Sequence, residues 1–179
     1  MFILRGLKKI GLWCPIVFLS FVAPASAASF FDDWRFPDET DITDDWEIYR
    51  QDGREVYTVA EDFNGDGNQD EAWILIRNDD TEWGLFVFLN ADSSDPEIIQ
   101  LGRTKMDDCP PQCMGLALTP PGNHITVCGK GYRWACDPDG RKYVDTKYPA
   151  IDYFRFESAS SFFYWNEDID RFERIWTSD

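Results

Sequence analysis

The chain has 179 residues, with 33 acidic side chains against 17 Lys and Arg and a formal charge of −16. Such a surface repels the phosphates of nucleic acid and the headgroups of anionic lipid, and it favours cations or basic partners. Its 8 Trp, 7 Tyr and 14 Phe exclude an intrinsically disordered chain, because acidic sequences that stay unfolded are poor in such rings.

Residues 1–27 read as a secretory signal. Arg5, Lys8 and Lys9 precede the apolar run "IGLWCPIVFLSFVA", and "ASA" at 25–27 has the small-x-small ending that signal peptidase reads, placing the cut before Ala28. The run is too short to span a bilayer, which needs ~20 residues. Cys14 lies near its start behind Trp13, a poor place for lipid attachment. The expectation is a periplasmic or secreted protein with no membrane span. Removal of the signal leaves 152 residues in which 14 bases face all 33 acids, a charge of −19. That length suits one domain burying roughly 70% of its unfolded surface.

Residues 28–50 read as an acidic arm. "FFDDWRFPDET" is extended, and "DITDDWEIYR" is one short helix with Thr and Asp suited to its first turn and Arg50 to its end. Residues 51–179 read as a single β-rich domain. "REVYTVA" alternates. "EAWILIR" places Ala72, Ile74 and Ile76 opposite Trp73 and Leu75, and "WGLFVFLN" places Leu85, Val87 and Leu89 opposite Phe86 and Phe88. Strands apolar on both faces are central and covered on both sides. "RNDDTEW" between them is a hairpin turn. "PEIIQLG", "MGLALT", "HITVCG", "KYVDT", "IDYFRFES", "SSFFYWN" and "RFERIW" continue the series. The fold class expected is mainly β, with antiparallel sheets as a sandwich or barrel-like meander and one or two short helices. No segment recurs at a fixed period.

"DFNGDGNQDE", between the first two strands, sets Asp62, Asn64, Asp66, Asn68 and Asp70 at alternate positions. Two carboxylates roughly 5 Å apart repel by about 3 kcal/mol at an effective dielectric of ~20, and a bound cation reverses that sign. Hard oxygen donors on a tight turn suit calcium. Side chains at positions 1, 3, 5 and 9 and the Asn68 carbonyl at position 7 form the ligand set, with Gly67 making the turn. Position 12 is Trp73, where an EF-hand requires a bidentate Glu, and a strand follows in place of a helix. The other reading is an Asp/Asn-Gly turn that is merely acidic.

Cys109, Cys113, Cys128 and Cys136 remain after processing. An even number in an exported chain argues for disulfides, with three connectivities open and the local pairs 109–113 and 128–136 favoured. The second pair staples "CGKGYRWAC", which presents Lys130, Tyr132, Arg133 and Trp134, residue types enriched in binding hot spots. Residues 129–147 carry five bases against three acids, a local reversal of sign that suits an anionic ligand or an acidic patch on a partner. A hairpin whose rings cover the core edge is the plainer reading. His124 is the sole histidine and no GxSxG occurs, so a serine–histidine triad finds no support.

"EDFNGDGNQDEAWIL" resembles the calcium loop of FG-GAP and VCBS repeats, as in integrin α-type propellers, where an Asp-x-Asn-x-Asp-Gly-x-x-Asp loop joins two strands. The resemblance covers about fifteen residues and implies calcium at Asp62, Asn64, Asp66, Asn68 and Asp70. It implies no propeller, which needs several such blades. The tail "IDYFRFESASSFFYWNEDIDRFERIWTSD" resembles a group of uncharacterised exported bacterial proteins, a likeness that carries no activity with it.

The functional expectation is an exported, calcium-stabilised binding domain without a catalytic residue set. Its partner is a protein of the envelope, an inhibitor or immunity-type role included, or an anionic ligand. The alternative is a carboxylate-dependent hydrolase acting on envelope polysaccharide.

Overall fold

A computed structural model describes residues 27–50, 53–132, 136 and 140–178. The expected signal segment falls outside the described residues apart from Ala27, as do Arg133 and Trp134 of the stapled loop. The elements are α1 (Ala27–Phe30), β1 (Trp34–Arg35), α2 (Asp44–Tyr49), β2 (Thr58–Glu61), β3 (Asp70–Arg77), β4 (Glu82–Leu89), β5 (Glu97–Lys105), β6 (Met114–Thr119), β7 (Gly122–Ile125), β8 (Tyr143–Thr146), β9 (Ala150–Arg155), β10 (Ser160–Asn166) and β11 (Arg171–Ser178), with a 3-10 turn at Pro111–Cys113.

All strand pairs are antiparallel. In the first sheet β3 lies between β4 and the short strands β1 and β2, and β5 flanks β4. The second sheet runs β11-β10-β9-β6, and β7 pairs with β8 as a separate ribbon. Neither sheet closes on itself, so the architecture is a sandwich and not a barrel.

The period-2 patterns decide the layers. Ala72, Ile74 and Ile76 of β3 and Leu85, Val87 and Leu89 of β4 pack with Leu116, Ile151, Tyr153 and Phe163 of the second sheet, which forms the main core. Leu75, Phe86 and Phe88 point the other way and are also buried. What covers them is the N-terminal arm. Trp34 sits with its ring 4.7 Å from that of Phe86, and Phe30 and Phe36 close the same face. Arg35 locks the arm by pairing with Asp41 and with Asp80 of the β3–β4 turn. On the far side of the second sheet, Val144 of β8 packs with Ala150, Phe162, Tyr164 and Ile175.

Three details differ from the sequence reading. Of "HITVCG", only His124 and Ile125 lie in a strand, the end of β7. Thr43 stands at the N-cap of α2 yet makes no side-chain cap bond; its hydroxyl donates to the neighbouring Asp44 carboxylate. The helix is held instead by Trp46, fully buried, whose indole N–H donates to the Met114 carbonyl at 2.8 Å. The strand expected over "REVYTVA" is confined to its second half, because the Val56 carbonyl turns away from β3 and accepts from the Leu116 N–H of the other sheet at 2.7 Å.

Candidate metal site

The loop from Asp62 to Gln69 joins β2 to β3, so both ends are anchored in the sheet. Gly65 and Gly67 take φ of +77° and +86°, the left-handed region that other residues enter at a cost, and these two turns curl the loop on itself. Asp62 occupies the centre. Its carboxylate accepts from the N–H groups of Gly65 at 2.7 Å, Asp66 at 3.1 Å and Gly67 at 2.9 Å. The Asn64 side-chain oxygen accepts from the Asp66 N–H, and the Asp66 carboxylate accepts from the Asn68 N–H at 2.8 Å. That last donation holds the Asp66 carboxyl below its usual range.

Asp70 differs from the others because no part of it reaches solvent. One carboxylate oxygen accepts from the Phe63 N–H and the other from the Asn90 N–H, both at 2.9 Å. Burial pushes its carboxyl up, and the charges of Asp66 and Asp62 push it the same way, against the pull of the two donors. Phe63, also fully buried, drives its ring into the main core and pins the loop's first turn.

Two participants had no signal in the linear sequence. Asn90 follows β4 at φ +55°, gives its N–H to Asp70 and donates its side-chain amide to Asp66 at 3.2 Å. Tyr148, between β8 and β9, lays its ring against Gly65 so closely that a Cβ there would overlap it. Its hydroxyl donates to Glu167 at 2.6 Å, which also takes the Lys147 ammonium at 2.7 Å. An "LN" at a strand end and a "KY" in a turn are ordinary turn composition, so only the fold marks them.

Asp62, Asn64, Asp66 and Asn68 therefore lie in the loop, and Asp70 opens β3 at its end. The donor chemistry fits a hard divalent cation: carboxylates, an amide oxygen and carbonyls on a glycine-shaped turn. The carboxylates are engaged by N–H groups of the loop and of Asn90, and no set of three or more Asp, Glu, His or Cys side chains converges as a metal cluster among the described residues.

The remaining candidates are placed as follows. The sulfurs of Cys109 and Cys113, and of Cys128 and Cys136, are bonded, with Cα atoms 6.5 Å and 4.9 Å apart, so both local pairings hold. The first closes over Trp83, whose indole donates to the Cys109 carbonyl. In the stapled loop the Lys130 ammonium donates to the Thr177 carbonyl at 2.6 Å, tying the loop to β11, while Tyr132 is partly exposed. Arg133 and Trp134 lie outside the described residues. His124 packs its ring 5.2 Å from that of Phe162, and Nε2 lies 3.0 Å from the Pro120 carbonyl, an acceptor only, so Nε2 carries the proton.

Compared with known proteins, the chain matches no family, no curated protein and no solved structure.

Proposed function

We propose that the chain is an exported interaction domain whose first sheet is stabilised by calcium at the β2–β3 loop. The observation that supports the calcium reading is the loop's donor set: Asp62, Asn64, Asp66 and Asp70 stand at alternate or near positions around two left-handed glycines between paired strands, in the order that the Asp-x-Asn-x-Asp-Gly-x-x-Asp resemblance implies. The ion would be held by Asp62, Asn64, Asp66, the Asn68 carbonyl and Asp70. Bound there, it supplies positive charge that offsets three like charges and does no chemistry of its own. Asp70 gains most, since burial penalises its ionised form. Export is supported by the signal-like start and by two disulfides, which persist in oxidising compartments. An acidic chain with few bases suits a basic partner in the envelope, an inhibitor or immunity-type role included.

The test is thermal unfolding in EDTA and then in rising calcium at constant ionic strength. Stabilisation should grow as RT ln(1 + [Ca]/Kd), about 2.7 kcal/mol at a hundredfold excess over Kd. Asp66→Ala should remove most of that rise while magnesium reproduces little of it. A melting temperature indifferent to calcium leaves the loop an acidic turn and removes the metal from the proposal.

A further inference from the structure

Where the two sheets meet, an open groove of about 930 Å³ runs between β2 and β6. Among the described residues each of these strands is paired on one side only, β2 with β3 and β6 with β9. The sheets touch here through the bond from Leu116 N–H to Val56 C=O, and beyond it the two edges part. Ladder parity settles where the backbone points. Ile74 N–H donates to Tyr57 C=O, so residues 57, 59 and 61 face β3, while Thr58 and Ala60 turn their N–H and C=O groups to the groove. Phe156 N–H donates to Cys113 C=O, so odd residues of β6 face β9 and Leu118 turns its backbone outward.

The side chains around these edges are apolar with an acidic rim. Trp73, Leu118 and Phe154 line the groove together with Glu71 and Glu157; Glu55 is paired with Arg50, and Arg54 also lines the groove. Leu118 is 43% exposed. Natural sheets guard a free edge with Lys, Pro or an inward charge, because unpaired strand groups recruit other chains. "MGLALT" has none of these. Its unguarded apolar edge faces a second free edge across a groove of the size that ligand sites take.

Building on the reading of the chain as an interaction domain, we propose that the groove between β2 and β6 receives an extended peptide segment of a partner, carrying alternating basic and apolar side chains, which adds a strand to the free edge of β2. Backbone bonds to Thr58 and Ala60 supply affinity. Apolar side chains take the surface of Trp73, Leu118 and Phe154. Basic side chains meet Glu71 and Glu157, and the chain's excess of acids steers such a segment toward the groove.

The probe is a capped alternating Lys-Val peptide of about eight residues, a usual strand length, titrated into the disulfide-bonded chain by fluorescence anisotropy with amide hydrogen exchange read in parallel. Controls are the Glu-Val counterpart and a Lys-Val peptide N-methylated at alternate amides. The Lys-Val peptide should saturate, both controls should bind at least about tenfold more weakly, and exchange should slow at Thr58 and Ala60. Ala60→Pro, which removes an outward N–H from an edge strand where proline is tolerated, should weaken the peptide about tenfold or more. The exposed-site change Leu118→Lys should do likewise, and it keeps the test decisive should Ala60→Pro misfold. Equal binding of either control, or saturation without slowed exchange at those amides, overturns the proposal. So does protection that rises with protein concentration and ignores peptide, which assigns the edge to a second copy. Calcium unfolding curves on the same sample separate the two readings. A calcium response without peptide binding removes the groove alone, and peptide binding without a calcium response removes the metal alone.

Discussion

At the scale of single residues, the contact between Gly65 and Tyr148 ties the acidic loop to the second sheet. A side chain at Gly65 meets two obstacles at once, a left-handed backbone and the Tyr148 ring. Gly65→Ala should therefore lower stability by about 2 kcal/mol or more in urea unfolding. Adding Tyr148→Ala should restore part of that loss, because only the ring overlap is relieved. Fully additive losses in the double mutant would show that the ring is not the obstacle. Glu173 allows a pH test. Its carboxylate accepts from the Tyr164 hydroxyl, the Asn166 amide and Arg141, and these donors hold it below the usual carboxylate range, Tyr164 foremost. The folded carboxyl binds fewer protons than the unfolded one, so its contribution is present above the unfolded pKa of about 4.3 and is lost as pH falls through the folded value. Glu173→Gln should cost roughly 1 kcal/mol near neutrality, with the gap to the wild type closing in acid. A gap that stays constant with pH would contradict the assignment.

At the scale of elements, the arm is part of the fold's stability. β1 is two residues long, yet Trp34 seals the outer face of a central sheet, with Arg103 stacked 5.7 Å above its ring and Arg35 clamped by two carboxylates. Trp34→Ala should cost about 3–5 kcal/mol, the range for deleting a buried large ring, and should expose Phe86 and Phe88 to a hydrophobic dye. A loss below 1 kcal/mol on the same urea curves would reduce the arm to a solvated tail. The second sheet finishes its edge with another aromatic device. The Arg174 guanidinium lies 4.1 Å from the Trp176 ring centroid, near Tyr153 and Phe163, and donates to the Ser161 hydroxyl. An arginine stacked in this way shields rings that would otherwise face water.

At the scale of the whole molecule, charge and topology act together. With 33 acids against 17 bases, like-charge repulsion opposes the compact state, and salt screens it within a Debye length of about 10 Å at 0.1 M. Sodium chloride should thus raise the melting temperature by several degrees between low and moderate ionic strength. Calcium should act further at fixed ionic strength. Equal effects of the two ions under matched conditions would reduce calcium to general screening. The groove between β2 and β6 belongs to this scale also, since it exists only where one sheet's edge comes to rest against the other's.

The sequence by itself determined the two central strands, because period 2 in "EAWILIR" and "WGLFVFLN" is a local property and both faces of each are apolar. It also marked the acidic loop, and among three connectivities it favoured the two short-range disulfides, whose partners lie within nine residues. Only the tertiary structure decided what lies across each face. The arm over Phe86, Asn90 and Tyr148 on the loop, and β2 beside β6 are contacts between residues 24 to about 80 positions apart, which no local period encodes. Packing and hydrogen bonding select them, because a buried face must be covered and a buried carboxylate must be paired, whatever part of the chain supplies the partner.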